Sequence, residues 1–390
     1  VKALLENGHE VTFFTSFWYD QKNTFWKRIA SLHPKIRKEF LKKSDDTIPS
    51  DFVRTNIVGT LYRFLGRYFV KDVEQWSFYD DRIHDTANAK KITSLAPDVV
   101  IGYEKSCRDT FIKAKEKGIK TILDLSQVHI DFIQQLRSRY PFFADISGEE
   151  KLFNKISKIK KEEYELADHI IALSSFAKQT LINNGIPSSK VSIASLGFNA
   201  SNFTAKKEYR SSGTLQLIYV GIVTMRKGIQ LLIDLMQTFH EKKYDVSLTV
   251  IGPRGDASHL LNSKSNYPNI SYIEYLQHDA LVNELQNADV FILPSFLDSF
   301  AAVVIEAMAC GLPVIISDNT GAKDAVDDTC GFVTSTNSIE EIQDAIIYFY
   351  HDRSKVESMG KSAAKKSLQY EWRQYYRTVN EIVEATVLKN

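Results

Sequence analysis

The sequence holds only three cysteines in 390 residues, Cys107, Cys310 and Cys330, and no two of them form a Cys-x-x-Cys pair. That scarcity excludes a disulfide framework and a cysteine-based zinc site, and it makes a reducing compartment the simpler reading. No apolar run approaches the roughly 18–20 residues that span a bilayer, and the N-terminus lacks the charged-then-apolar pattern of a signal peptide. The expectation is a cytoplasmic protein, at most peripheral on the inner face of a membrane. An excess of one charge is also missing. Lys and Arg number 49 against 48 Asp and Glu, a formal net charge of +1, so nothing global points to nucleic acid or an acidic partner. Neither a G-x-G-x-x-G nor a G-x-x-x-x-G-K-[ST] stretch occurs, which argues against a nicotinamide dehydrogenase and against a P-loop enzyme. There is no internal repeat and no low-complexity segment.

What is present is alternation. Short β-rich apolar runs alternate with helical patterns, the signature of parallel sheets with crossover helices. The length exceeds what one core usually supports, so two domains are expected. The first series of strands lies near Glu10–Thr15, Asp98–Tyr103, Lys120–Leu125, His169–Leu173 and Val191–Ser195. The second lies near Leu215–Val220, Val246–Ile251, Ile270–Tyr275, Val290–Leu293 and Pro313–Ser317. This predicts an α/β chain of two Rossmann-like, doubly wound domains: residues 1–198, a polar linker 199–213, residues 214–370, and a C-terminal helix 371–390. Val1–Glu6 reads as the second half of an amphipathic helix ending at Asn7-Gly8, so a preceding segment is expected.

The stretch 289–317 carries the densest chemistry: a buried strand, a loop with Asp298, a small-residue helix with Glu306, a glycine stop and another buried strand. Both acids can point into the cleft beyond a strand's carboxyl end, where open α/β sheets bind ligands. A carboxylate like Glu306 can accept both hydroxyls of a ribose diol; equally, an acid early in a helix is favoured by the helix dipole. Asp298 could bind a ligand or serve as an ordinary turn residue. Between them Ser299, Phe300, Ala301 and Ala302 should present backbone N–H groups to hydroxyl or phosphate oxygens, or simply cap the helix. In Tyr219–Gly228, Gly221 permits a tight turn, after which Arg226 and Lys227 could hold a diphosphate or lie exposed. Glycine loops at Ile251–Gly255 and Asn319–Ala322 also follow strands. In the first half Glu104 and His129 stand just past strand ends, where a histidine could meet a sugar hydroxyl or the reacting centre; a lone histidine is more often structural.

Residues 16–95 break the alternation. From Lys22 to Asp72 there are 12 Lys or Arg against five acids, beside Phe17, Trp18, Phe25, Trp26, Phe64, Tyr68 and Phe69. Such a segment fits an anionic membrane or an anionic acceptor, and it equally fits snorkelling basic side chains on helices that cover the sheet. At most weak, salt-sensitive membrane contact through residues 22–72 is expected.

Taken together, these motifs resemble the family 4 glycosyltransferases, retaining enzymes with the GT-B fold of two Rossmann-like domains facing across a cleft. The resemblance rests on the acid-x7-acid motif from Asp298 to Glu306 followed by Ala-Met-Ala-Cys-Gly-Leu-Pro-Val-Ile, and on the Gly221 to Lys227-Gly228 loop. The stretches Tyr164–Ser175, Ile193–Gly197 and Asn319–Ala322 support it. It implies a retaining transferase that moves a sugar from a nucleoside-diphosphate sugar to a hydroxyl acceptor, such as a polysaccharide, a glycolipid or a small glycoside. UDP is slightly favoured over GDP or ADP, and neither a cofactor nor a metal is implied. It assigns Glu306 to the ribose; Asp298, Ser299 and the backbone at Phe300 and Ala301 to the sugar; Gly221, Arg226 and Lys227 to the diphosphate; and the Tyr275–His278 loop to the base. His129 falls where the family has a first-domain histidine beside the transferred sugar, and Glu104 lies on the acceptor side. In such enzymes a front-face mechanism is usually inferred. The helix from Glu371 is implied to cross back onto the first domain.

Three positions depart from the family pattern. Asp298 stands where Glu is usual, Ile222 where many members carry Arg, and the opening strand and turn precede Val1. The alternatives are a non-catalytic nucleotide-sugar-binding subunit, or a GT-B epimerase or phosphorylase.

Overall fold

The computed structural model describes residues 1–70, 72–146, 149–261 and 268–388, without the side chains of residues 35, 57, 64, 65, 67–69 and 144–146. The aromatic side chains of Phe64, Tyr68 and Phe69 therefore lie outside the described part, as does Lys71. Among the described residues, twelve short strands lie between helices. They are β1 Phe13–Thr15, β2 Val53–Thr55, β3 Val99–Tyr103, β4 Lys120–Asp124, β5 His169–Ala172, β6 Val191–Ile193, β7 Leu215–Val220, β8 Val246–Ile251, β9 Ile270–Ile273, β10 Val290–Leu293, β11 Val314–Ser317 and β12 Gly331–Thr334.

The second sheet has the order β12-β11-β10-β7-β8-β9, and every pair in it is parallel. Its strands β10 and β11 are buried residue by residue, whereas β7 and β8 are mostly apolar but carry the half-buried Gln216, Ser247 and Thr249. The first half has a parallel sheet β3-β4-β5-β6 and a separate parallel pair β1-β2. The run expected near Glu10–Thr15 thus forms β1, but it pairs with β2 rather than with the larger sheet. Neither β2 nor β12 is expected from the sequence. Val53-Arg54-Thr55 is too short and polar to announce a strand, and Gly331–Thr334 opens on a glycine.

The stretch after residue 198 packs on the second half. The Lys206 N–H donates to the Cys310 carbonyl at 3.0 Å, and the Tyr209 hydroxyl to that of Gly311 at 3.1 Å. The chain returns at residues 370–372, where the Phe198 N–H donates to the Tyr370 carbonyl at 2.9 Å. The helix Trp372–Leu388 then lays Val379, Ile382 and Val383 on Ile122 of β4 and Ile171 of β5. No helix among the described residues is long and apolar enough to cross a membrane.

One helix start in the first half is already occupied. The helix Arg108–Glu116 follows β3, and its opening turn receives two buried carboxylates. Glu163 accepts from the N–H groups of Lys105 at 2.7 Å, Cys107 at 2.9 Å and Arg108 at 3.1 Å. Asp85 accepts from those of Asp109 at 2.7 Å and Thr110 at 2.9 Å. Five main-chain donors at this helix start are satisfied from within the chain, as the orphan N–H groups of a buried helix end require.

Candidate active site

Strands β7 and β10 are neighbours, yet the chain runs from β7 through β8 to β9 on one side while β10, β11 and β12 extend on the other. The strand order reverses between them, and the crevice outside their carboxyl ends is where such a sheet takes a ligand. The loop after β7 supplies Gly221, Arg226 and Lys227, and the loop after β10 supplies Asp298. The two loops are laced together. The Phe296 N–H donates to the Arg226 carbonyl at 2.9 Å, and the Arg226 guanidinium donates to the Leu297 carbonyl at 2.5 Å. Gly228, at φ 77°, closes the first loop, and a Cβ there would fall on the Pro294 carbonyl, so this crossing requires glycine.

Lys227 Nζ lies 3.4 Å from Asp298 Oδ2, with both side chains about 15% exposed. The lysine also lies over Gly221, where an added Cβ would meet Nζ at 3.1 Å. Asp298 Oδ1 accepts from the Phe300 N–H at 3.3 Å, and its main chain bonds to the turn after β11 through Asn319 and Gly321. The helix Ala302–Ala309 begins after Ala301, which adopts a left-handed φ of 62°. No protein acceptor among the described residues takes the N–H of Ala301, Ala302 or Val303.

Glu306 sits in the second turn of that helix, half-buried, and its carboxyl has no hydrogen-bond or ion-pair partner among the described residues. Burial pushes its pKa up, and the charge of His278, from the loop after β9, partly opposes this. Tyr275 in the same loop is exposed. The arrangement offers one unpaired carboxylate, an acid and lysine pair, and main-chain N–H groups within three adjoining loops.

Across the cleft, the strand ends of the first half meet these loops. The Ser299 hydroxyl donates to the Ser126 carbonyl, after β4, at 2.9 Å, and the Ser174 hydroxyl, after β5, donates to the Ser299 carbonyl at 2.8 Å. Asp324 accepts from the Ser175 N–H at 2.6 Å and from the Ser175 hydroxyl. Tyr140 and Phe142 pack edge-on to Phe296 at 4.8 and 5.0 Å. Of these residues Ser174 and Ser175 fall in the stretch Tyr164–Ser175 that the sequence marks out, while Asp324 lies just beyond Asn319–Ala322; what one chain does not reveal is that they touch.

Several expected roles change. The Ser299 hydroxyl is engaged by the first half rather than free for a sugar, because the loop is docked there. Part of the Arg226 guanidinium braces the β10 loop, which leaves Lys227 as the cation nearest Asp298. Glu104 is 3% exposed: it accepts from the Tyr164 hydroxyl at 2.8 Å and the Ser126 hydroxyl at 3.2 Å, and Lys160 pairs with it at 3.1 Å. A carboxylate so enclosed ties the end of β3 to the helix behind it. His129 is equally buried and caps the helix Ile130–Arg139, its Nδ1 accepting from the Asp131 N–H at 3.1 Å. A neutral ring bonded in this way carries its proton on Nε2. Burial lowers its pKa, so the neutral form is the one present near pH 7.

Residues 201–366 match the family model described as Glycosyl transferases group 1. The chain is 25% identical over 229 residues to the N,N'-diacetylbacillosaminyl-diphospho-undecaprenol alpha-1,3-N-acetylgalactosaminyltransferase of Campylobacter jejuni, a match covering 55% of this chain and 60% of that one. The chain spans about half the length of the curated relatives it matches. In fold it is similar to the sucrose-phosphate synthase from Thermosynechococcus elongatus, with TM-score 0.65, 16% identity, and 98% of this chain and 90% of that one covered. It is also similar to Anabaena HepE in complex with UDP and glucose, with TM-score 0.63, 13% identity, and 97% and 100% covered. Two facing halves with parallel sheets are the GT-B fold of these structures.

Proposed function

We propose that this chain, which has the GT-B fold, is a group 1 glycosyl transferase that moves a sugar from a nucleoside diphosphate to a hydroxyl acceptor with retention of configuration. The observation that carries the reading is the Lys227–Asp298 pair at the point where the strand order reverses, followed in the second turn of the next helix by Glu306, whose carboxyl has no partner among the described residues. Glu306 accepts from the ribose hydroxyls. The N–H groups of Ala301 and Ala302, with Asp298, hold the sugar. Lys227, steadied by Asp298 and supported by Arg226, takes the charge that grows on the departing diphosphate. His129, with its cap fixing Nδ1, turns its Nε2 proton to the transferred sugar.

On this reading the anomeric carbon–phosphate oxygen bond breaks and the bond to the acceptor oxygen forms on the same face. The acceptor proton passes to the leaving phosphate oxygen. UDP is the favoured nucleotide, in keeping with HepE, whose structures hold UDP, UDP-glucose, or UDP with glucose. The engaged Ser299 and the pairing of Asp298 with Lys227 favour a second reading, a GT-B subunit that binds nucleotide sugar without turnover.

A screen of UDP, GDP, ADP and their common sugars separates the two. A ligand at 100 times its Kd stabilises the protein by about 2.7 kcal/mol. Nucleotide binding with sugar transfer supports the enzyme, and binding with no product across a broad acceptor panel supports the binding subunit. If Glu306→Ala left both donor binding and turnover unchanged, the site itself would be misplaced.

A further inference from the structure

Between Lys22 and Lys43 the chain carries eight Lys or Arg against a single acid, Glu39. Two short helices, Thr24–Ser31 and Pro34–Leu41, hold most of this charge. Their inward residues Trp26, Ile29, Ala30, Ile36 and Phe40 close on Phe17 and Tyr19 in a cluster of their own, apart from the cores that flank the larger sheets. The basic residues therefore do not cover those sheets, as snorkelling side chains would, and the opposite faces of both helices look away from the cluster.

Those outer faces are apolar as well as cationic. Phe25, Arg28 and Leu32 follow one another at helical spacing along the first, with Phe25 63% and Leu32 76% exposed. On the second, Pro34, Arg37, Lys38, Leu41 and Lys42 make the outer stripe and line an open hollow of about 460 Å³. Leu41 is 43% exposed. Lys27, Arg28, Arg37 and Lys38 have no ion-pair partner among the described residues, whereas Lys42 reaches Glu39 at 2.6 Å.

We infer that this two-helix face docks on the surface of an anionic lipid bilayer, with Phe25, Leu32 and Leu41 entering the headgroup boundary and the surrounding cations meeting lipid phosphates. Both halves of the surface point to this occupant. A soluble polyanion would satisfy the cations but leave three large apolar side chains in water. A second copy across a twofold axis would set like charges against like. A bilayer satisfies both. The inference is independent of which nucleotide sugar the chain uses.

The test is co-sedimentation of the full chain with phosphatidylglycerol/phosphatidylcholine vesicles and with pure phosphatidylcholine vesicles, at low and at about 0.5 M salt. Binding is expected to the anionic vesicles only, weakened by salt. The exposed triple variant Phe25→Ser/Leu32→Ser/Leu41→Ser should lower partitioning at low salt by about tenfold or more, and Arg28→Glu/Arg37→Glu/Lys38→Glu should abolish it. Circular dichroism checks that both variants remain folded. Absence of binding to anionic vesicles at low salt overturns the inference. So does a triple serine variant that binds like the parent, which would mark a surface for soluble polyanions. A dimer of the parent that the serine variant dissolves would instead assign the face to a second copy.

Discussion

Lys227 and Asp298 come from different strand ends, β7 and β10, and meet at 3.4 Å with little exposure. Neither residue can be altered without releasing the other. A lysine held by an acid is positioned before any ligand arrives, which suits a cation that must meet charge developing late on a phosphate. Lys227→Met should lower sugar transfer by about 10²- to 10³-fold, read as kcat/KM. It should also destabilise the free protein by roughly 1–3 kcal/mol, because Asp298 is left shielded and unpaired. Thermal unfolding alongside kinetics separates the two effects, and an unchanged kcat/KM counts against the assignment.

Glu306 is raised by burial, so the folded protein favours the protonated carboxyl. Stability from this group is present below its ordinary carboxylate range and is lost as pH rises through the raised value. Glu306→Gln should therefore be more stable than the parent at pH 7 while binding nucleotide more weakly, by about tenfold for a lost charged acceptor. In the parent, affinity should fall as acidification protonates the carboxyl. Calorimetric titration across that range checks this; a parent and a variant with parallel pH profiles would place the ribose elsewhere.

His129 moves in the opposite direction. Its lowered pKa means that stability is full above the ordinary histidine value of about 6.5 and falls as pH drops through it toward the folded value. Protonation would also remove the Nδ1 lone pair that caps the helix Ile130–Arg139. His129→Asn keeps a capping side chain and removes the titration. Its melting temperature should change less between pH 7 and pH 5.5 than the parent's does, and equal slopes would show that the ring does not titrate with folding.

Ser299, Ser126, Ser174, Ser175 and Asp324 join the two halves at the mouth of the cleft. Combining Ser299→Ala with Asp324→Ala should cost about 0.5–1.5 kcal/mol per hydrogen bond removed. It should also enlarge the radius of gyration in small-angle scattering as the halves separate. An identical radius for variant and parent, both without nucleotide, would mean that these bonds do not govern closure.

How far the chain announced all this differs by level. Strands β7, β8 and β10 lie where the apolar runs predict them to the residue, because their mostly core-forming side chains, broken only by Gln216, Ser247 and Thr249, end at Gly221, Gly252 and Pro294. β2 and β12 are three and four residues long and carry no comparable run. Asp298, Glu306, Arg226 and Lys227 are legible because each follows a strand whose end is legible. Their partners are not. Ser299 reaches Ser126 across 173 positions, and Glu104 reaches Tyr164 across 60, so each role depends on how elements dock rather than on local pattern. The exposed Phe25 and Leu32 are hidden in the same way, since a sequence lists aromatic and basic residues without saying which side of a helix is covered.

The carboxylates of Glu163 and Asp85 on the helix Arg108–Glu116 bear on the choice between halves. Both halves have a strand followed by a helix whose first N–H groups look out from the sheet, and either would attract an anion. In the first half the chain supplies that anion itself. A phosphate arriving there would have to displace two buried acids that already use five donors, whereas the turn before Ala302 offers N–H groups with no competitor. The first helix start is thus closed to an added anion by the chain's own carboxylates, while the turn before Ala302 has no such occupant among the described residues.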